Sequence, residues 1–91
     1  MWNVRTILRN NNNEQVVIFS KDQCPYCDKA KFRLKDEADV TVKNISENAE
    51  YLTELRTLNP VARTMPQIFK DGELIGGYDQ LATYLDLNKG L

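Results

Sequence analysis

The chain has no histidine, and only two of its 91 residues are cysteine. Without histidine, the commonest general base at neutral pH and the commonest nitrogen ligand for metals are both missing. A structural zinc site within one chain is disfavoured with them, because it takes four Cys or His ligands and the sequence holds two. An excess of one charge is also lacking. Twelve Lys and Arg stand against 13 Asp and Glu, for a formal net charge of -1, which leaves no basic footprint for nucleic acid or an anionic membrane. No run of about eighteen apolar residues occurs, and Met1-Trp2-Asn3-Val4-Arg5 is not followed by the apolar core of a secretion signal. These absences set the expectation of a cytoplasmic protein, acting as a monomer on a small or protein substrate. The length of 91 residues suits one domain with one core, and no linker or repeat divides it.

What is present centres on Gln23-Cys24-Pro25-Tyr26-Cys27, which holds both cysteines. Two residues between thiols let them form and break one disulfide with little backbone movement. Val16-Val17-Ile18-Phe19 just before is apolar and mostly β-branched, as in a buried strand, and a helix is expected to follow. Proline suits the first helical position, which makes Cys24 the expected N-cap. Free N–H groups there, with Lys21 three residues earlier, favour the thiolate over the thiol, and only the thiolate attacks disulfides. Cys24 is therefore the expected nucleophile. Cys27 lines up with Ala30, Leu34 and Ala38 on a core-facing stripe and is expected to be the less exposed, resolving thiol. The bland alternative is a pair of inert core thiols, but apolar burial does not call for Pro-Tyr at a strand-to-helix junction. In a reducing compartment a catalytic or sensing pair explains the cysteines better than a structural staple.

Taken in order, residues 2 to 9 carry Val4, Ile7 and Leu8 at helical spacing, and Asn10 to Asn13 read as a loop. Residues 1–14 are thus expected to be a leading helix and loop before a core over 16–87. The motif helix is expected from Pro25 to about Glu37, with Lys29, Lys31, Arg33 and Lys35 on its solvated side. Val40-Thr41-Val42 completes a βαβ unit, whose strands should be parallel with a right-handed crossover. Ser46 is the expected cap of a second helix through Tyr51, Leu52, Leu55 and Leu58. Gln67-Ile68-Phe69-Lys70 and Glu73-Leu74-Ile75 flank Asp71-Gly72, a hairpin turn signal. Gly76-Gly77 breaks the second strand, and Asp79 is placed to cap a last helix with Leu81, Ala82 and Leu85 inward. This alternation implies an α/β domain with a central four-stranded mixed sheet and helices on both faces.

Three segments in this order, Cys24-Pro25-Tyr26-Cys27, Thr64-Met65-Pro66-Gln67-Ile68-Phe69 and Gly76-Gly77-Tyr78-Asp79, are familiar. From about Val16 to Leu87 the chain resembles a glutaredoxin, a small thiol-disulfide oxidoreductase of the thioredoxin-like fold. The resemblance implies a cis Pro66 against the active-site pair and a glutathione site beside it. Thr64 and Met65 would border that site, with the Met65 backbone pairing with glutathione like an added strand. Gly77, Tyr78 and Asp79 would receive the γ-glutamyl end. Asp79 is read equally as an acceptor for the glutathione amino group or as a helix cap alone. Lys21 and Arg63 would meet the glycine carboxylate, and Tyr26 would wall the groove. Many relatives have a further aspartate where this chain has Gln80, and valine where it has Met65. The implied co-substrate is glutathione with no metal, and the implied partners are glutathionylated or disulfide-containing proteins, ribonucleotide reductase among them. Two rival readings stand beside this one. The first is a thioredoxin-like reductant served by a reductase, and the second is a carrier of a glutathione-ligated iron–sulfur cluster.

Overall fold

The computed structural model describes residues 15–88. The leading helix and asparagine loop expected over 1–14 lie outside the described residues. Within them the chain runs β1 (Gln15–Ser20), α1 (Pro25–Leu34), β2 (Asp39–Asn44), α2 (Ala49–Leu58), β3 (Gln67–Lys70), β4 (Glu73–Gly76) and α3 (Tyr78–Asn88). The strands form one four-stranded sheet in the order β2-β1-β3-β4. β2 pairs parallel to β1, with Ile18 opposite Val42. β3 pairs antiparallel to β1, with Ile18 opposite Ile68, and β4 antiparallel to β3. The mixed sheet is the one the sequence implied.

β1 is nearly all apolar because it is central and covered on both faces. Val16 and Ile18 enter a cluster with Ile68, with Ala30 and Leu34 of α1, and with Leu81 and Leu85 of α3. Phe19 points the other way, into a cluster with Leu55 of α2, Ala62 and Phe69, with Val17 packed against it. The rings of Phe19 and Phe69 meet edge to face at 5.7 Å between centroids. α1 and α3 therefore cover one face and α2 the other. The Asp71-Gly72 turn has φ of 51° and 86°, the paired positive values that a two-residue hairpin of Asp-Gly type requires.

Three boundaries differ from the sequence reading. α1 ends at Leu34 rather than near Glu37, and the Glu37 N–H donates to the Leu34 carbonyl in a tight closing turn. Lys35, Asp36 and Glu37 are all exposed, so no apolar contact holds a further α turn. Ala38 packs against the core from the connection to β2. The cap of α2 is Asn48, whose side chain accepts from the Glu50 N–H at 2.9 Å, and not Ser46. Ser46 is held in a turn by its N–H to Asn44 Oδ1 at 2.7 Å, and its hydroxyl accepts from the Asp22 N–H at 3.0 Å. Asp79 lies in the first turn of α3 and does not cap it, since the helix begins at Tyr78. Instead the Gly77 carbonyl accepts from Leu81 N–H, and the Gly77 N–H donates to Gln80 Oε1 at 2.9 Å.

Candidate active site

Cys24 stands where β1 hands the chain to α1. Gln23, at φ 54°, turns the backbone, and Cys24 is extended at φ −128° as the N-cap with Pro25 following it. Two contacts tie the incoming loop to the end of β2: the Asp22 N–H donates to Ser46 Oγ, and Asn44 Nδ2 donates to Asp22 Oδ1 at 3.0 Å. Both fix the direction from which Cys24 enters the helix.

The two sulfurs are joined in a Cys24–Cys27 disulfide, with Cα atoms 5.2 Å apart. Cys24 Sγ accepts from the Cys27 N–H at 3.2 Å, the bond by which an N-cap side chain satisfies an unpaired helix donor. A donor so placed is the kind of contact that favours a thiolate over a thiol. Cys24 keeps 7% of its surface exposed and Cys27 none, so Cys24 is the more accessible of the two. Cys24 Sγ also lies 3.6 Å from the Met65 carbonyl oxygen. The disulfide sulfur carries no proton, so this is a close contact and not a hydrogen bond.

Met65 is brought there by the cis Met65-Pro66 peptide, while its side chain packs on the second core cluster. Pro66 is buried and leads directly into β3. A Cβ built on Gly77 would come within 3.6 Å of the Pro66 carbonyl oxygen, a measure of how closely the two backbone segments approach. Between them runs a groove of about 350 Å³ lined by Tyr26, Thr64, Met65, Pro66, Gly77, Tyr78, Asp79 and Gln80. The rings of Tyr26 and Tyr78 lie 5.8 Å apart, and Lys29 Nζ sits 5.0 Å from the first and 6.0 Å from the second. The tyrosines thus form one wall, held together by a shared cation.

Seven of the residues that the resemblance implied for a glutathione site line this groove. Lys21 and Arg63 do not. Both are exposed; Lys21 precedes Cys24 by three residues, and Arg63 borders a separate depression with Arg56 and Val61. Gln80 lines the groove without having been expected to do so. Its signal was the three-residue step from Gly77, the spacing at which a glutamine reaches back to the N–H at a helix start. Among the described residues, no three His, Cys, Asp or Glu side chains gather as a metal site would need.

A glutaredoxin family model matches residues 16–75. A probable glutaredoxin of Acanthamoeba polyphaga mimivirus is 37% identical over 82 residues, covering 78% of this chain and 77% of that one. Glutaredoxin 1 of Escherichia coli is also 37% identical over 82 residues, covering 81% and 95%. Among solved structures, reduced Escherichia coli glutaredoxin superposes with a TM-score of 0.67 at 32% identity, over 81% of this chain and 95% of that one. A buckwheat glutaredoxin–glutathione complex superposes at 0.70 with 24% identity, over 93% and 80%, and at that identity it speaks for the fold alone. With its Cys24/Cys27 pair at the head of α1, the chain belongs to the glutaredoxin family of thiol-disulfide oxidoreductases.

Proposed function

We propose that the chain is a glutathione-dependent oxidoreductase that reduces protein disulfides and glutathione mixed disulfides. The observation that carries this is the groove, which runs from the Met65 carbonyl beside Cys24 to the start of α3. Its chemistry suits an extended γ-glutamyl peptide. Met65 lies outside the sheet ladder, so its backbone can pair with a peptide strand. Gly77 permits close approach, and the first N–H groups of α3 suit a carboxylate. Asp79, exposed in that first turn rather than used as a cap, is a suitable acceptor for an ammonium group.

The reaction begins when the Cys24 thiolate attacks a disulfide sulfur, forming a mixed disulfide and releasing one thiolate. In the dithiol route Cys27 attacks Cys24 Sγ, releases the second substrate thiolate and leaves the Cys24–Cys27 disulfide. Two glutathiones then return two electrons and leave as glutathione disulfide. A substrate carrying bound glutathione needs Cys24 alone, since a second glutathione can resolve the intermediate. No histidine takes part, so the rate comes from thiolate fraction, leaving-group pKa and orientation. The expected reduction potential is roughly −200 to −230 mV.

The test is turnover of a glutathione mixed disulfide with glutathione and glutathione reductase as the sole electron source. Turnover is expected, lost in Cys24→Ser and retained in Cys27→Ser, which should lose protein-disulfide reduction. An intact, dithiothreitol-reducible protein with no turnover would overturn the glutathione reading in favour of a reductase-served, thioredoxin-like one.

A further inference from the structure

The groove occupies only one side of α1. On the outer side Phe32 is 70% exposed, a large apolar area for a helix of ten residues. Lys35 Nζ lies 5.1 Å from the Phe32 ring centroid, as Lys29 Nζ does from Tyr26 at 5.0 Å. A second depression, of about 500 Å³, is lined by Asp28, Lys29, Phe32, Arg33 and Tyr78. Tyr78 also lines the catalytic groove, so the two depressions share a wall. Tyr26, Lys29 and Arg33 follow helical spacing away from Cys24 along one stripe.

The charge on this face is local. The chain as a whole is at -1, yet Lys29 and Arg33 both line this depression, and its one acid, Asp28, is paired to Lys31 at 3.3 Å; Lys31 and Lys35 lie about half a turn round the helix, and Asp36 and Glu37 follow the C-cap. Glutathione does not reach this far. A three-residue peptide spans about 10 Å and is accommodated by the groove, whereas Phe32 and Arg33 lie about 12–14 Å along the helix from Cys24.

We propose that the outer face of α1, from Lys29 to Arg33, docks an acidic segment of a disulfide-bearing protein substrate. This rests on the oxidoreductase reading above and names the kind of substrate that reading leaves open. An extended substrate covers the distance from Cys24 to Phe32 in about four residues. The segment therefore carries Asp or Glu facing Lys29 and Arg33, and one apolar side chain covering the Phe32 ring, about four residues from the attacked cysteine. When Cys24 attacks, one substrate sulfur bonds to it and the other leaves as thiolate. Cys27 then displaces the first, so that the dithiol loses two electrons and the substrate gains them with two protons.

The test uses the whole chain, reduced with dithiothreitol and desalted, in single-turnover reduction of two synthetic peptides. Both contain the same intramolecular disulfide. One has Glu and Leu about four residues from each cysteine, and the other has Lys and Ser there. No glutathione is needed, so a failure of the glutathione reading, seen in the coupled assay, leaves this result interpretable. The Glu/Leu peptide is expected to react about tenfold faster at ~50 mM salt, with the advantage shrinking at ~0.5 M. Phe32→Ala and Arg33→Ala should each remove most of that advantage while changing the Lys/Ser rate less than about twofold. Equal rates for the two peptides, including no reduction of either, would overturn the proposal. So would a preference that survives in the double variant.

Discussion

Cys24 and Cys27 are three residues apart, and their surroundings differ. Cys24 Sγ takes the Cys27 N–H and keeps some exposure, while Cys27 is enclosed. A donor aimed at a sulfur stabilises its anion, and the partial positive charge at the helix start adds to the effect. Alkylation of the reduced protein by iodoacetamide should therefore titrate at Cys24 with a midpoint below the ordinary thiol value of ~8.5. On this account reactivity is expected at neutral pH and is expected to be lost as pH falls. A midpoint at or above ~8.5, read by mass spectrometry of the Cys24 peptide, would contradict this account of the N-cap. The capping of α1 by Cys24 was legible from Pro25 after an apolar strand, because proline suits the first helical position. The contact with Met65 was not, since it joins residues 41 apart in sequence.

At the scale of the element, the start of α3 shows how one wall of the groove is held. Gly76 sits at φ 127°, and a Cβ there would meet Gln80 Cβ at 2.8 Å. Gly76→Ala would thus combine a disfavoured backbone with a clash, while Gln80→Ala removes only the bond to the Gly77 N–H. That bond is exposed, so Gln80→Ala should cost about 0.5–1 kcal/mol, and Gln80→Glu should keep it. Gly76→Ala should cost more, about 1–3 kcal/mol. Urea denaturation of the three variants checks the order; a Gln80→Ala loss larger than that of Gly76→Ala would reverse the assignment. The element itself was evident from Leu81 and Leu85, but its first residue was not. An aspartate near a helix start suits the cap and the first turn alike, and only backbone geometry separates them.

At the scale of the molecule, the described residues form two small cores, one on each face of the sheet. Leu34 is fully buried in the one that α1 and α3 share. A domain of this length holds about 5–14 kcal/mol in total, and a buried Leu→Ala change costs about 2–5. Leu34→Ala should therefore lower the urea midpoint sharply with little change in slope, and it should loosen the seat of α1 that carries Cys24. An unchanged midpoint would mean that α1 is held by its ends and not by its stripe.

The amino-acid sequence by itself determined the order of elements, the hairpin at Asp71-Gly72 and the capping of α1 by Cys24. Each of these depends on residues within a few positions of one another, where apolar period, proline and glycine act directly. Only the tertiary structure decided which residues line one groove. Tyr26, Met65, Tyr78 and Gln80 come from three separate stretches that meet because α1, the cis-Pro66 turn and α3 pack at one end of the same sheet. It also decided that Asn48 caps α2 in place of Ser46, whose hydroxyl is drawn away to the Asp22 N–H in a loop distant in sequence. Several short polar side chains compete for each backbone donor, and packing selects among them.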